Sequence, residues 1–447
     1  MVKYSALSCS CRNAFRRSRP LSSLNRPSDR WRRHLTTRHC VDNPQMMAAG
    51  VTLIAETLLL SLASAGIAYL VLAIWCVWRF RPGGAADPFY RPALTILKPL
   101  CGADPDLLDC LRSFCGQDYR GLQIVFGVAD ATDPALPIVR RIMTEFPERD
   151  IALVIDPTQH GANRKVSNLI NMMPLARHGI LIVCDSDVRI SDNCLGALVR
   201  PLADPTVGAV TAPLRGIAGG GLAGSSFAAR LGAAFINDWY FPAALVAERL
   251  GPVRSCLGPL TVLRRDSLDA IGGFAALADQ LADDFMLGQL IARRGDRVLI
   301  SRTAIDVMVH EDFASLARRE LRWARTIRAT EPMGHWWSIV THVLPVATAP
   351  LLVSPSRVAV ALLLLHTALR LVLNWLICTR FGIATSPPWF ILLREAACLV
   401  IWIFSYANRR IEWRGAKFVV APGGGIRTQA APNAAEPTLA PAINEAP

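Results

Sequence analysis

The chain has 447 residues, enough for one large domain or two ordinary ones, so a substantial buried core is available. Apolar residues make up 52% and charged residues 19%, which excludes an ordinary soluble fold throughout and places part of the chain in lipid. The net charge of +13 invites a nucleic-acid reading, but residues 1–50 hold ten Lys or Arg (Lys3, Arg12, Arg16, Arg17, Arg19, Arg26, Arg30, Arg32, Arg33, Arg38) against Asp29 and Asp42, a net +8. Most of the excess is therefore outside the body of the protein, and no nucleic-acid partner is expected.

Residues 1–46 form that basic leader. It reads as a transit peptide, a basic arm or, the reading preferred here, a stretch upstream of a true start at Met46 or Met47. The reason is topological. Arg79 and Arg81 follow an apolar run over 52–78 and mark its cytoplasmic end, so ten basic residues before it would oppose the positive-inside rule.

From 87 to 336 the pattern alternates strand and helix. Strands are predicted at Ala93–Leu97, Leu122–Val128, Ile151–Ile155 and Ile180–Cys184, and amphipathic helices at Pro134–Glu145 and Lys165–Ala176. This predicts a Rossmann-like α/β domain, whose ligands gather at the carboxyl ends of the strands. A G-x-G-x-x-G pattern at Gly219, Gly221 and Gly224 reads as a flexible loop, because Leu214–Ala218 does not read as an apolar strand and no acid follows at the required distance.

Three apolar runs follow over 338–408, at Ser338–Val353, Val358–Cys378 and Trp389–Tyr406. Two or three of them cross the membrane; the first, broken by Pro345 and Pro350, is also a candidate re-entrant segment. Residues 409–447 form a basic, then disordered, tail, the disorder being expected beyond Val419 from its Pro, Ala and Gly content. Twelve cysteines without C-x-x-C spacing indicate neither zinc nor a disulfide framework and fit a reducing compartment.

Three acidic clusters follow compact or apolar segments: Asp130 with Asp133, Asp185 with Asp187, and Asp283 with Asp284. Asp185-Ser186-Asp187 at a strand end aims two carboxylates to one side, which suits Mg²⁺ or Mn²⁺ and the diphosphate of a nucleotide-sugar. An ordinary strand-to-loop turn is the alternative. Asp283-Asp284 suits a general base, or the first turn of a helix. Arg319 and Arg322 share a helix face with Trp323 at its rim, fit either to meet a diphosphate or to hold anionic lipid. The segment His160 to Asn168 brings Gly161, Asn163, Lys165 and Asn168 to a helix start, a setting for phosphate or simply a capped loop.

The ordered set Lys98-Pro99, Asp130/Asp133, Gly161-x-Asn163-x-Lys165-Val166-x-Asn168, Asp185-x-Asp187, Asp284 and Arg319-x-x-Arg322-Trp323 resembles the ceramide glucosyltransferase family of GT-A enzymes. It looks closest to a bacterial branch, the hopanoid-biosynthesis glycosyltransferases. The resemblance covers about 93–420, including Arg394-Glu395 and Trp413-Arg414-Gly415. It implies a GT-A catalytic domain with one early and two or three late transmembrane helices, in a bacterial inner membrane with the domain facing the cytoplasm. Asp130 or Asp133 would hold the uridine side, with Lys98 and the Gly161–Asn168 loop on the nucleotide-sugar. Asp185 and Asp187 would hold the diphosphate and metal, and Asp284 would be the base beside Asp283. Arg319, Arg322 and Trp323 would close over departing UDP. Asp283 stands where the ceramide enzymes usually carry Glu, and Asp187 where some carry Gly, which makes Asp185 the firmer metal ligand and favours the bacterial branch. The implied reaction passes a sugar from a UDP-sugar to a membrane lipid hydroxyl with inversion: N-acetylglucosamine to a hopanoid polyol, or, as the alternative, glucose to ceramide. A polysaccharide synthase, a transporter and an inactive scaffold are the weaker rivals. Oligomeric state is not legible.

Overall fold

The computed structural model describes residues 44–83, 90–220, 224–383, 386–413 and 416–428. The chain divides into two units, Met1–Ile54 and Ala55–Pro447. The basic leader as far as residue 43, Gly221 of the glycine pattern and the tail beyond Thr428 lie outside the described residues.

In chain order the elements are α1 (Pro44–Arg79), β1 (Leu94–Pro99), α2 (Leu107–Cys115), β2 (Leu122–Val128), α3 (Ala135–Glu145), β3 (Asp150–Ile155), α4 (Arg164–Met172), β4 (Ile180–Cys184), β5 (Val188–Arg189), β6 (Val207–Thr211) and β7 (Leu214–Ala218). Next come α5 (Phe227–Phe235), a π-helical turn (Ile236–Tyr240), α6 (Phe241–Leu250), β8 (Leu260–Arg264), α7 (Asp283–Arg293), β9 (Arg297–Ile300), β10 (Ile305–Val309) and α8 (Phe313–Thr330). The last are α9 (Pro332–Trp337), α10 (Val343–Val353), α11 (Arg357–Phe381), α12 (Pro388–Ser405), β11 (Arg410–Trp413), β12 (Ala416–Val420) and β13 (Ile426–Thr428).

The main sheet has the order β3-β2-β1-β4-β8-β6-β9. Its first four strands are parallel, β8 runs antiparallel to both β4 and β6, and β9 is parallel to β6. Alternation along the strands covers both faces, as a largely parallel sheet requires. Ile96, Ile124 and Ile182 pack with Leu111, Phe114 and Val139 on one side. Leu97, Val125 and Leu181 pack with Val166 and Leu169 on the other.

Two of the predicted strands, Leu122–Val128 and Ile180–Cys184, have the predicted bounds, and the other two differ by one or two residues. The helix predicted to Ala176 stops at Met172 and tightens to a 3-10 turn at Met173–Leu175, which contains Pro174. Leu214–Ala218, which did not read as a strand, is β7: it is the edge of a second sheet, β5-β10-β7, and pairs with β10 rather than burying a long apolar run.

Among the described residues, three helices are long and apolar enough to cross a membrane: Met47–Arg79, Arg357–Phe381 and Pro388–Ser405. A fourth apolar segment is a bent pair, Pro332–Thr341 with Leu344–Val353, at 70°. Within the second unit, Leu70, Val77 and Phe80 of the first span pack against Phe241 and Leu245 of α6 and against Leu373 and Ile377 of α11. For residues 420–428 the expectation of disorder is corrected, because β11, β12 and β13 form an antiparallel meander through Thr428. Its alternating Ile411, Phe418, Val420 and Ile426 bury a small core with Leu281.

Candidate active site

One cavity of about 760 Å³ opens at the carboxyl ends of β1, β2 and β4. It receives Asp130 and Asp133 after β2, Asp185 and Asp187 after β4, Lys165 and Asn168 from α4, and Asp283 and Asp284 from the first turn of α7. Arg319, Arg322 and Trp323 of α8 close another side. All three acidic clusters expected from the sequence therefore share one space, as the Rossmann-like pattern predicts.

At the centre, the Lys165 ammonium lies 2.7 Å from Asp185 Oδ1 and 3.3 Å from Asp283 Oδ2. Burial opposes its charge, but Asp185 and then Asp283 outweigh burial and hold it above the ordinary lysine value. Asn163 sets this lysine in place. Its side-chain oxygen caps α4 by accepting from Val166 N at 3.1 Å, while its amide donates to Gln280 O and reaches Asp283 Oδ1 at 3.3 Å. Gly161 is required for the same approach, since a Cβ there would stand 2.5 Å from the Ala278 carbonyl oxygen. Asn168 donates to Gly127 O at 2.8 Å, tying α4 to β2.

Burial and then the neighbouring charge of Asp283 push the Asp284 carboxyl up to about 6. Burial and then Asp185 push Asp187 up to about 6 as well. Gly258, at φ +95°, packs so close that a Cβ would meet Asp284 Oδ2 at 2.9 Å. Only glycine takes that backbone and leaves that room.

On α8, Arg319 pairs with Glu311 at 3.1 Å, and its guanidinium lies 5.1 Å from the centroid of the Trp323 ring. Trp323 in turn packs against Phe235 and Tyr240. Burial and then Arg319 bring Arg322 down to about 10, which still leaves it cationic at neutral pH. Among the described residues no carboxylate stands within ion-pair distance of Arg322, and its guanidinium lies over Trp413 at 5.6 Å.

Three expected nucleotide-sugar residues sit differently. Lys98 is fully buried and does not line the cavity; its ammonium donates to the Asp185 carbonyl at 2.8 Å and rests 4.1 Å from the Phe114 ring centroid. It supports the loop that carries Asp185, because Lys98 lies on the face of β1 that packs against Phe114 of α2. Gly161 and Asn163 likewise act behind the cavity wall. Asp133, though at the wall, spends its carboxylate on backbone N–H groups of Gly102 (3.0 and 3.1 Å) and Ala135 (2.8 Å). Both hydrogen bonds to Asp130 come from Thr132 and fall on Oδ1, and they hold its carboxyl below the usual range.

Asp185 and Asp187 offer two hard oxygen ligands on one wall. Among the described residues no three His, Cys, Asp or Glu side chains form a ready cage. A divalent cation that takes one or two carboxylates and fills its shell with phosphate oxygens fits such a pair, and its charge would relieve the penalty on an ionised Asp187.

Residues 58–426 match the family described as Glycosyl transferase family 21. The chain belongs to glycosyl transferase family 21. This family 21 glycosyltransferase is 23% identical over 377 residues to ceramide glucosyltransferase 1 of Caenorhabditis elegans, covering 81% of this chain and 78% of that one. To the ceramide glucosyltransferase of Candida albicans it is 35% identical over 114 residues, 23% of this chain and 21% of the other. Among solved structures it is similar to a mannosyltransferase from Pyrobaculum calidifontis in complex with GDP-Man and Mn²⁺, at TM-score 0.53 and 22% identity over 78% of this chain and 98% of that one. That likeness identifies the fold as GT-A.

Several wall residues of this glycosyltransferase were not read from its sequence. Asp104 follows β1 and adds to the repulsion on Asp187. Trp239 and Tyr240 enter from the π-helical turn, where the 3.6-residue period fails. His342 and Trp402 come from segments read only as membrane helices, His335 from the end of the predicted catalytic domain and Phe418 from the C-terminal meander, while Arg394 and Trp413, named above within the resemblance, had no place at the cavity wall assigned to them.

Proposed function

We propose that the chain transfers a sugar from a UDP-sugar to a hydroxyl of a membrane lipid with inversion, N-acetylglucosamine to a hopanoid polyol being the first reading. The observation that carries it is a single cavity with two kinds of wall. Carboxylates and arginines face one end, and residues of the apolar segments, among them His342, Ile401 and Trp402, face the other. A donor that is all charge and an acceptor that is mostly hydrocarbon can meet only in such a space.

The acceptor oxygen attacks the anomeric carbon from the side opposite the diphosphate. Its proton passes to Asp284, and the bond to the diphosphate breaks with its electron pair leaving on UDP. At neutral pH a carboxyl near 6 is mostly ionised yet basic enough to take that proton. Arg322 and Arg319 offset the charge gathering on the diphosphate, and Lys165 holds Asp185 and Asp283 in register. Asp185 and Asp187 are the residues that would hold a divalent ion, which would supply further positive charge to the leaving group. Asp130 suits the uridine side, since its Oδ2 takes neither bond from Thr132.

The C-terminal meander packs on the catalytic domain: Arg328 donates to Asn408 O, Gly423 N to Ala329 O, and Leu281 N to Gly424 O. An even number of crossings therefore separates them. We assign α11 and α12 as that pair and the bent segment as re-entrant, with the catalytic domain on the cytoplasmic face of a bacterial inner membrane.

Glucose transfer to ceramide is the second reading, favoured by the similarity to ceramide glucosyltransferases. Purified protein given UDP-N-acetylglucosamine or UDP-glucose, each with a hopanoid polyol or ceramide, separates the two by product mass. No glycolipid in any of the four combinations refutes the proposal.

A further inference from the structure

The membrane end of the cavity carries polar atoms that sugar transfer does not use. His342 stands at the corner of the bent helix pair, is 2% exposed and lines the cavity. Neither of its ring nitrogens has a hydrogen-bond partner among the described residues. Its ring is held by aromatic contact, stacked on Trp239 at 6.0 Å and edge-on to Trp402 at 6.2 Å. Trp239 is itself fixed to the corner by donating to Thr341 Oγ1 at 3.1 Å.

A second set lies close by. Glu320 of α8 and Arg394 of α12 pair at 2.7 Å through Oε2 and Nη2, and both are about as buried as His342. Glu320 Oε1 and Arg394 Nε have no hydrogen-bond partner, although both residues line the cavity. Contacts run from one set to the other: Arg394 over Phe235 at 4.9 Å, Phe235 on Trp239 at 5.0 Å, Trp239 on His342. Native folds rarely leave so many buried polar atoms unpaired in one place without a partner to receive.

We infer that this end of the cavity is a headgroup subsite for a lipid bearing at least two hydroxyls, one presented to Asp284 and the others received by His342, Glu320 and Arg394. The inference rests on the transfer reaction proposed above. The chemistry of the three groups sets the class. Glu320 can only accept, Arg394 can only donate, and a neutral imidazole does one of each. A hydroxyl satisfies all of them because it both donates and accepts. A phosphate would face the Glu320 carboxylate, and a hydrocarbon alone would leave every one of these atoms unpaired. A site built to hydrogen-bond a hydroxyl rejects the analogue lacking it far more strongly than an apolar pocket rejects an extra group.

The test uses the full-length protein in detergent with three acceptors: a hopanoid polyol, ceramide, and a lipid of matching tail carrying only the attacked hydroxyl. The wild type should use one of the first two with kcat/KM at least about 100-fold above the third. His342→Phe, which keeps the ring stack but removes both nitrogens, should raise KM for the preferred acceptor about tenfold with the Kd for UDP unchanged, and His342→Gln should recover part of that loss. Equal use of the single-hydroxyl lipid by the wild type overturns the subsite without any variant. An unaltered acceptor KM in a His342→Phe protein that binds UDP normally overturns it too, while the transfer reaction stands. No glycolipid from the wild type overturns both.

Discussion

Replacing Asp284 by Asn removes the proposed base and keeps the side-chain volume, so its consequences can be worked out in two quantities at once. Burial and Asp283 raise this carboxyl from 3.8 to about 6. At pH 7 it is then about 90% ionised, and at pH 5 only about 10%. Transfer by the wild type should accordingly rise about tenfold between pH 5 and pH 7 along a limb of unit slope centred near 6. The Asn variant should lose that limb and about 10²–10⁴ of kcat, the usual contribution of a positioned base. Stability should move the other way. A carboxyl whose folded value is raised stabilises the fold below its unfolded value and loses that contribution as pH climbs through 6. At neutral pH the wild type therefore carries a net penalty of up to about 3 kcal/mol, with the attraction to Lys165 already included, that Asn does not. Glycolipid formation followed by mass, beside thermal unfolding in the same detergent at pH 5 and pH 7, reads both. An Asn variant that turns over within threefold of wild type, or one that is less stable at pH 7, would refute the assignment.

Other outcomes follow from the same geometry. Chelation with EDTA should abolish transfer and Mn²⁺ or Mg²⁺ restore it, while Asp185→Ala should lower kcat by about 10² or more with either ion present; full activity after exhaustive chelation would remove the metal from the scheme. Lys165→Met leaves Asp185 and Asp283 facing each other, so UDP affinity should fall about 10- to 100-fold by calorimetry, and Lys165→Arg should fail to restore it because a planar fork does not reproduce the 2.7 and 3.3 Å contacts of one compact ammonium. Asp133→Ala, losing its bonds to Gly102 and Ala135, should cost about 1–3 kcal/mol of stability with UDP affinity kept, whereas Asp130→Ala should weaken UDP binding with little change in unfolding temperature.

What could be read from the chain beforehand follows from where the information lies. The strands β2 and β4 announce themselves because they are buried on both faces and bounded by turn residues, and the acids after them fall into the site because strand ends in such sheets converge. Asp283 and Asp284 were legible for another reason, standing in the first turn of a helix. Lys98 misled because a sequence gives a charge but not its direction: the fold turns that ammonium inward onto a carbonyl and an aromatic face. The reversed direction of β8 leaves no trace in its residues, since Leu260–Arg264 would bury equally well either way. His342 and Trp402, and the place of Arg394 at the cavity, were hidden for a different reason. Their segments are so apolar that hydropathy assigns them to lipid, and only tertiary packing brings their polar atoms to the cavity.

The Glu320–Arg394 pair has a practical consequence for anyone who wishes to isolate the catalytic part. A boundary near residue 336, where the strand and helix pattern ends, would cut away the helix that supplies Arg394 and the strands that supply Trp413 and Phe418. Glu320 would then lose the Arg394 cation that balances it, two residues from Arg322, and the cavity would open to bulk water on its lipid side. Removing the anchor in this molecule removes a wall of the reaction vessel, so a soluble fragment should bind UDP poorly and waste donor by hydrolysis rather than report the chemistry of the whole chain.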